Sequence, residues 1–378
     1  LKIDELKSIE LEDLLGREPV PINKDLLYSE FKNKSVLITG SGGSIGSEIC
    51  RQIFDLGIKS VFLLDHNELG LYEINEELRN YKDQKIKIFP ILGSATDKNL
   101  LKKLFSENKI DFVFHAAAYK HVPLVEINPI EGIYNNVFST KLICRVALEF
   151  SVKKVILISS DKAVRPTNIM GASKRLAELI IQSFAHKVKH ENMGNNYTKF
   201  SLVRFGNVLG SSGSVVPLFK KQIQDGGPIT LTDKNVNRYF MTISEAVQLV
   251  LNTTIFSKGG EVFLLDMGKP VKILDLAKQM IKLSGLTVKD SNNKDGDIEI
   301  KFTGLRPGEK LFEELLIDAN SLPTIHPRIY YAEEKFLLPE VLFPQIDALE
   351  KSLFKKDRSL TFEIMKNLVE NWENFYVN

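Results

Sequence analysis

From residue 159 the chain reads Ser-Ser-Asp-Lys-Ala-Val-Arg-Pro-Thr-Asn-Ile-Met-Gly-Ala-Ser-Lys, ending at Lys174. Asp161, Lys162, Lys174 and the Ser160 hydroxyl are groups that give and take protons, so their convergence suits acid–base chemistry. The apolar run 155–158 before them reads as a buried parallel strand, and 172–184 reads as helix. Asp161 and Lys162 are then expected just past the carboxyl end of a strand, where open α/β sheets bind ligands. Pro166 and Thr167 mark the loop between the two elements. Lys174, at the start of the helix, can point back into the same crevice.

The elements that position these groups repeat one plan. A strand at 35–39 runs into Gly40, Ser41, Gly43, Ser44, Ile45 and Gly46, then into a helix from 44 to about 56. Glycines at 40, 43 and 46 let the backbone turn tightly and approach a pyrophosphate resting on the helix N-terminus. The next strand, 61–64, ends at Asp65. A carboxylate there accepts from ribose hydroxyls and repels a 2′-phosphate, which favours NAD over NADP. Asn67 stands beside it on the cofactor side. A strand at 85–92 leads to Ser94 and Ala95, which are expected on the cofactor, and Asp97 reads as the N-cap of a helix at 98–107. A strand at 112–114 ends in His115, and the small Ala116, Ala117 and Ala118 after it allow a cofactor close. Lys120 and His121 follow, above the sheet.

Composition bounds the rest. The 378 residues are 43% hydrophobic and 26% charged, as in an ordinary globular protein. A net charge of +2 gives no reason to expect nucleic acid as a partner. Cys50 and Cys144 fall in predicted helices and read as inert buried thiols in a reducing compartment. No metal site is expected. No apolar run is long enough to span a bilayer and no signal peptide is visible. The chain begins at Leu1 rather than Met, which suggests part of a longer protein. The expected organisation is an arm at 1–30 with a short helix within 11–20, and a dinucleotide-binding domain at 31–205. A smaller domain at 206–330 follows, with 261–266 returning to the main sheet, and then a helical tail at 331–378.

The glycine loop with Asp65, His-Ala-Ala-Ala, Ser-Ser-Asp-Lys, Met-x-x-x-Lys, Arg-Phe-Gly-Asn (204–207) and Arg-Pro-Gly-Glu (306–309) together resemble the extended short-chain dehydrogenase/reductase superfamily. Where that superfamily carries a Tyr, this chain has Met170. With that departure the pattern is similar to nucleotide-sugar 4,6-dehydratases, in their long, membrane-anchored branch. The resemblance implies an α/β fold: a doubly wound parallel Rossmann sheet with a smaller C-terminal substrate-binding domain. It implies UDP-N-acetylglucosamine as substrate and tightly bound NAD. The sugar is oxidised at C4, loses water across C5 and C6, and takes the hydride back at C6. Asp161 would be the acid at C6, Lys162 the base at C5, and Lys174 would hold the nicotinamide ribose. Inverting relatives generally keep the Tyr, so Met170 implies retention at C5.

The same resemblance places Lys120, His121, Asn207, Val216, Lys220, Thr230, Arg238, Met241, Arg306 and Glu309 on the substrate. Asn136 joins them, or stabilises the catalytic loop. The resemblance also implies a homodimer through helices at 131–150 and 172–184, and a cytoplasmic domain anchored at the inner membrane by a segment outside this chain. The other readings are a C5-inverting dehydratase, a 4-epimerase, and a non-catalytic nucleotide-sugar-binding module.

Overall fold

The computed structural model describes residues 24–81, 85–191, 197–316 and 320–372. Most of the expected arm, with its short helix, lies outside them. The described chain divides into two compact units. The larger runs to Phe205 and takes back Val247–Asp266 and the residues from Glu314 onward; the smaller holds Gly206–Ala246 and Met267–Glu313.

In the larger unit, six apolar strands alternate with helices: β1 (Ser35–Thr39), β2 (Ser60–Asp65), β3 (Lys87–Leu92), β4 (Phe112–His115), β5 (Lys154–Ile158) and β6 (Lys199–Arg204). Their order across the sheet is β3-β2-β1-β4-β5-β6, all parallel. This is the doubly wound sheet the sequence predicts, and its order reverses between β1 and β4, where such sheets open a crevice. The helices between strands are α1 (Lys24–Phe31), α2 (Ser44–Phe54), α3 (Glu68–Arg79), α4 (Lys98–Glu107), α5 (Val122–Ile127), α6 (Pro129–Ile133), α7 (Ser139–Glu149) and α8 (Ile169–His190). The predicted helix at 131–150 is one helical run from Pro129 to Glu149, separated from α5 by Asn128, with Tyr134–Phe138 as a π-helical turn between α6 and α7. Such turns often mark functional sites. Cys50 and Cys144 are buried in α2 and α7, and burial pushes both thiols up.

Beyond β6 lie the parallel strand Val262–Leu265 and the antiparallel Ile329–Ala332. The residues expected as a helical tail at 331–378 pack, as far as they are described, onto the larger unit. The strand Ile329–Ala332 crosses the expected boundary, and the helices Pro339–Phe354 and Arg358–Leu368 bury Leu342, Ile346, Met365 and, just beyond, Trp372 in the core that holds α7 and α8. Helix α8 is buried continuously from Ile169 to Ala185, and Lys141 of α7 is ion-paired to Asp347 and Glu350 of Pro339–Phe354.

The smaller unit has its own core, in which Val216, Phe219, Ile229, Leu276, Ile281 and Ile298 meet. Its parallel sheet joins Ile229–Leu231, Ile298–Phe302 and Val288–Lys289. Among the described residues no helix is long and apolar enough to cross a membrane.

Candidate active site

Strand β5 ends at Ile158 and the chain turns through a 3-10 turn, Asp161–Ala163, before α8. Asp161 is enclosed. Its Oδ1 accepts from Lys162 Nζ at 2.9 Å and from Ser160 Oγ at 2.8 Å. Its Oδ2 is buried with no partner. A buried carboxylate oxygen left this way costs free energy unless something else fills the need. Ser160 Oγ also accepts from Lys162 N, which fixes the turn. Lys174 is buried and donates to Ile158 O at 2.6 Å. Burial lowers its ammonium to about 8, opposed by Glu178. The structure therefore gathers Ser160, Asp161, Lys162 and Lys174 at one strand end.

Helix α8 starts against this turn through residues that the sequence reading passed over. A side chain at Gly171 would bring Cβ within 2.3 Å of Lys162 O, so only glycine lets the helix approach. Asn168 caps α8 by accepting from Gly171 N at 2.8 Å. Glu126 of α5 is buried and accepts from Ile169 N at 2.5 Å. Burial raises its carboxyl to about 7 against those helix amides and Arg358. A raised acid stabilises the fold below its ordinary value of 4.5 and loses that contribution as pH climbs through about 7. Glu126→Gln is expected to flatten this decline, which thermal melts at about pH 5 and about pH 8 would show.

A second cluster supports the turn from beneath. Arg204, at the end of β6, is fully buried. Its guanidinium makes bonds of 2.6–2.7 Å to both oxygens of Glu178 and both of Glu334. Glu178 also accepts from Ser159 Oγ at 2.6 Å and from Arg175 at 3.1 Å. Burial alone would raise Glu178; Arg204, with Arg175 and Ser159, outweighs it and holds the carboxyl at about 2.

At the order reversal of the sheet, Gly40 has φ +69° and a Cβ there would lie 2.8 Å from the Ala116 backbone, so the loops after β1 and β4 touch. Gly46 faces the Gly40 carbonyl more closely still. Ser41 Oγ is buried without a partner. Gly43 caps α2 with no side-chain acceptor, and Ser44 and Ile45 open that helix. Asp65 accepts from Gly42 N and Asn67 N at 2.8 and 2.9 Å. Ala117 N reaches Thr39 Oγ1, with partly open Ala116 and Ala118 on either side. His115 shares a hydrogen bond with Thr39 at 2.7 Å, and burial holds it neutral, at about 3.

Several expected contacts have other duties. Met170 is packed in the apolar core, so it replaces the Tyr without facing the chemistry. Asn67 caps α3 and accepts from Gly70 N. Ser94 closes a local turn with Thr96, and Ala95 belongs to the core. Asn136, in the π-helical turn, bonds Tyr119 N and O and Ser173 Oγ, so it clamps the loop after β4 to α8 rather than reaching a ligand. Lys120 and His121 are exposed on that loop. In the smaller unit, Val216 and Met241 are core residues. Thr230 Oγ1 accepts from Gln222. Arg238 is buried; it donates to the carbonyls of Asn237, Lys310 and Leu311 and faces Glu309 and Glu313. It pins the turn carrying Arg306 instead of standing free for phosphate. Glu309 bonds Thr232 Oγ1 and Arg306 N, while Arg306 and Lys220 are exposed and Asn207 sits in a short strand pair. Among the described residues no three or more His, Cys, Asp or Glu side chains could hold a metal.

The chain is similar to known proteins over this whole frame. It is 50% identical over 331 residues to the capsular polysaccharide biosynthesis protein CapD of Staphylococcus aureus, covering 88% of this chain and 52% of that one. It thus spans about half the length of that relative. It is 32% identical to a UDP-N-acetylglucosamine 4,6-dehydratase (inverting) of Campylobacter jejuni, over 80% of this chain and 83% of that one. Among solved structures, Pen from Bacillus thuringiensis superposes with a TM-score of 0.70 at 34% identity, covering 82% of this chain and 92% of that one. The family described as "Polysaccharide biosynthesis protein" matches residues 36–334. That span opens in β1 and closes on Glu334, the carboxylate that holds Arg204, and the chain belongs to the polysaccharide biosynthesis protein family.

Proposed function

We propose that the chain is a nucleotide-sugar 4,6-dehydratase that converts UDP-N-acetylglucosamine to the UDP-linked 4-keto-6-deoxy sugar, with NAD bound and with retention at C5. The observation that carries this is the Asp161–Lys162 pair: one carboxylate oxygen on the ammonium, the other enclosed and unpartnered at a strand end. A 4-epimerase has no need of an acid at C6, so Asp161 favours dehydration. The dehydratase and capsule-synthesis relatives support the same reading.

The residues fit NAD. The α2 amides behind Gly43 have no side-chain acceptor at the cap and suit a diphosphate. Asp65 keeps lone pairs for ribose hydroxyls after accepting two amides. The Ser41 hydroxyl lies unpaired in the same loop. Bound there, NAD would accept hydride from C4 and return it at C6. Lys174, protonated below about 8, would supply positive potential.

Elimination needs the neutral pair, a carboxylic acid at Asp161 and an amine at Lys162. A sugar that covers the site and excludes water favours that form. Lys162 then takes the C5 proton, which the C4 ketone has acidified, and Asp161 protonates the departing C6 hydroxyl. This leaves the ion pair observed at 2.9 Å. Lys162 returns its proton to C5 as hydride enters C6, and Asp161 regains one from solvent. Because Lys162 both removes and returns the proton, C5 receives it on the face it left. Incubation with UDP-N-acetylglucosamine in deuterated water tests this. Loss of water with deuterium at C5 is expected, with the C5 coupling of the retained sugar in proton NMR. Unchanged sugar would refute the reading.

A further inference from the structure

We propose that Lys120 is the base that takes the C4 hydroxyl proton, the task a Tyr at position 170 would perform; this rests on the dehydratase reading. Met170 has no proton to exchange and is packed in the core. The three neighbouring candidates are engaged: Lys162 and Ser160 with Asp161, and Lys174 with the Ile158 carbonyl.

The backbone just before Lys120 is tied by hydrogen bonds to the helical turn that holds position 170. Tyr119 N donates to Asn136 Oδ1 at 2.7 Å, and Asn136 Nδ2 donates to Tyr119 O and to Ser173 Oγ, both at 3.0 Å. Ser173 Oγ donates to Met170 O at 2.7 Å. The residue just before Lys120 is therefore clamped to the helical turn that carries Met170 and Lys174. Strands β4 and β5 are paired neighbours, so the loop of Lys120 and the turn of Lys162 leave adjacent strand ends. Although its side chain is open to solvent, crowding by surrounding protein atoms, then the charge of Lys162, lowers the Lys120 ammonium, and no carboxylate opposes them. His121 beside it is lowered too, by desolvation and by Lys120 itself, so it adds no competing charge. Lys174 is lowered as well, to about 8, but its Nζ is spent on the Ile158 carbonyl, which leaves Lys120 as the other lowered lysine of this group.

The step balances. The C4 O–H bond breaks and its proton passes to the Lys120 amine as the C4–O bond becomes a carbonyl. The C4–H electron pair leaves as hydride, accepted by the bound nicotinamide. Lys120 later releases its proton to solvent, which reloads Asp161.

The test compares wild type, Lys120→Met and Lys120→Arg on two substrates: UDP-N-acetylglucosamine with NAD-loaded enzyme, and the same sugar already oxidised at C4 with NADH-loaded enzyme. Lys120→Met is expected to lose about 10³-fold in kcat on the first, with KM little changed. It should keep near-normal turnover on the second, because the oxidised sugar bypasses the base. Lys120→Arg should be equally slow on the first, since a guanidinium stays protonated. Cofactor content, measured by chromatography of the denatured protein, should match wild type. Full activity of Lys120→Met, restoration by Arg, or equal loss on both substrates would each overturn the assignment. A wild type inactive on both sugars would overturn the dehydratase reading itself, and this assignment with it.

Discussion

Lys162→Met is expected to halt the reaction after oxidation at C4, and Asp161→Asn to halt it after the C5 proton has left. Each should lower kcat by about 10³-fold, the usual cost of losing a positioned acid or base. The two variants separate because the pair divides its work. Without Lys162 the ketone forms but C5 keeps its hydrogen, so reduced nicotinamide should accumulate with no deuterium entering at C5. Without the Asp161 proton, C5 exchanges with solvent but the C6 hydroxyl stays. Asparagine retains the shape and can accept from Ser160 and Lys162, so the turn survives. Rapid-mixing absorbance and NMR of recovered sugar read the two arrests. If both variants stop at the same stage, the division of roles is wrong.

Arg204→Met is expected to cost about 3–5 kcal/mol, because it strips a buried ion cluster of its central cation. Glu178 and Glu334 would lose the cation that bridges them, with Arg175 and, on Glu178, the Ser159 hydroxyl still in place. Against a total stability of about 5–15 kcal/mol, this is a large share. The sign with pH follows from Glu178. Its folded value of about 2 lies below its usual 4.5, so its contribution is complete above 4.5 and lost as pH falls through about 2. The wild type should therefore lose stability across that acid window more steeply than the variant. Denaturant melts of both proteins measure the difference. The double change Arg204→Met, Glu178→Met should cost less than the sum of the single changes, since each removes the other's unpaired partner.

The frame of the larger unit was legible because its strands other than β3 are buried on both faces and so read as continuous apolar runs, such as Val-Ile-Leu-Ile at 155–158. The glycine loop was legible because backbone approach demands glycine and nothing else. Asp97 was legible as a cap because capping is local. The misses share a cause: their partners are distant in sequence. No local pattern says that Glu334, 130 residues on, completes the Arg204 site. Glu126 reads as an ordinary surface acid, and only the fold sets it on the α8 amides. Arg238 looked available to a phosphate until the carbonyls at 310 and 311 claimed it. Met170 was recognised as a substitution, yet its burial became visible only with the helices around it.

The Arg204 cluster also sets an order of assembly during synthesis. Chains emerge from the ribosome N-terminus first, at about 5–20 residues per second. The turn bearing Asp161 and Lys162 leaves early, followed by Arg204 with Glu178 already in place. Until residues 334 and 335 arrive, Arg204 lacks Glu334, and Arg175 lacks both Glu334 and the Lys335 carbonyl. For that interval of many seconds, the floor beneath the strand end carries an unbalanced buried charge. The proton-handling turn is therefore made well before the residues that complete its support.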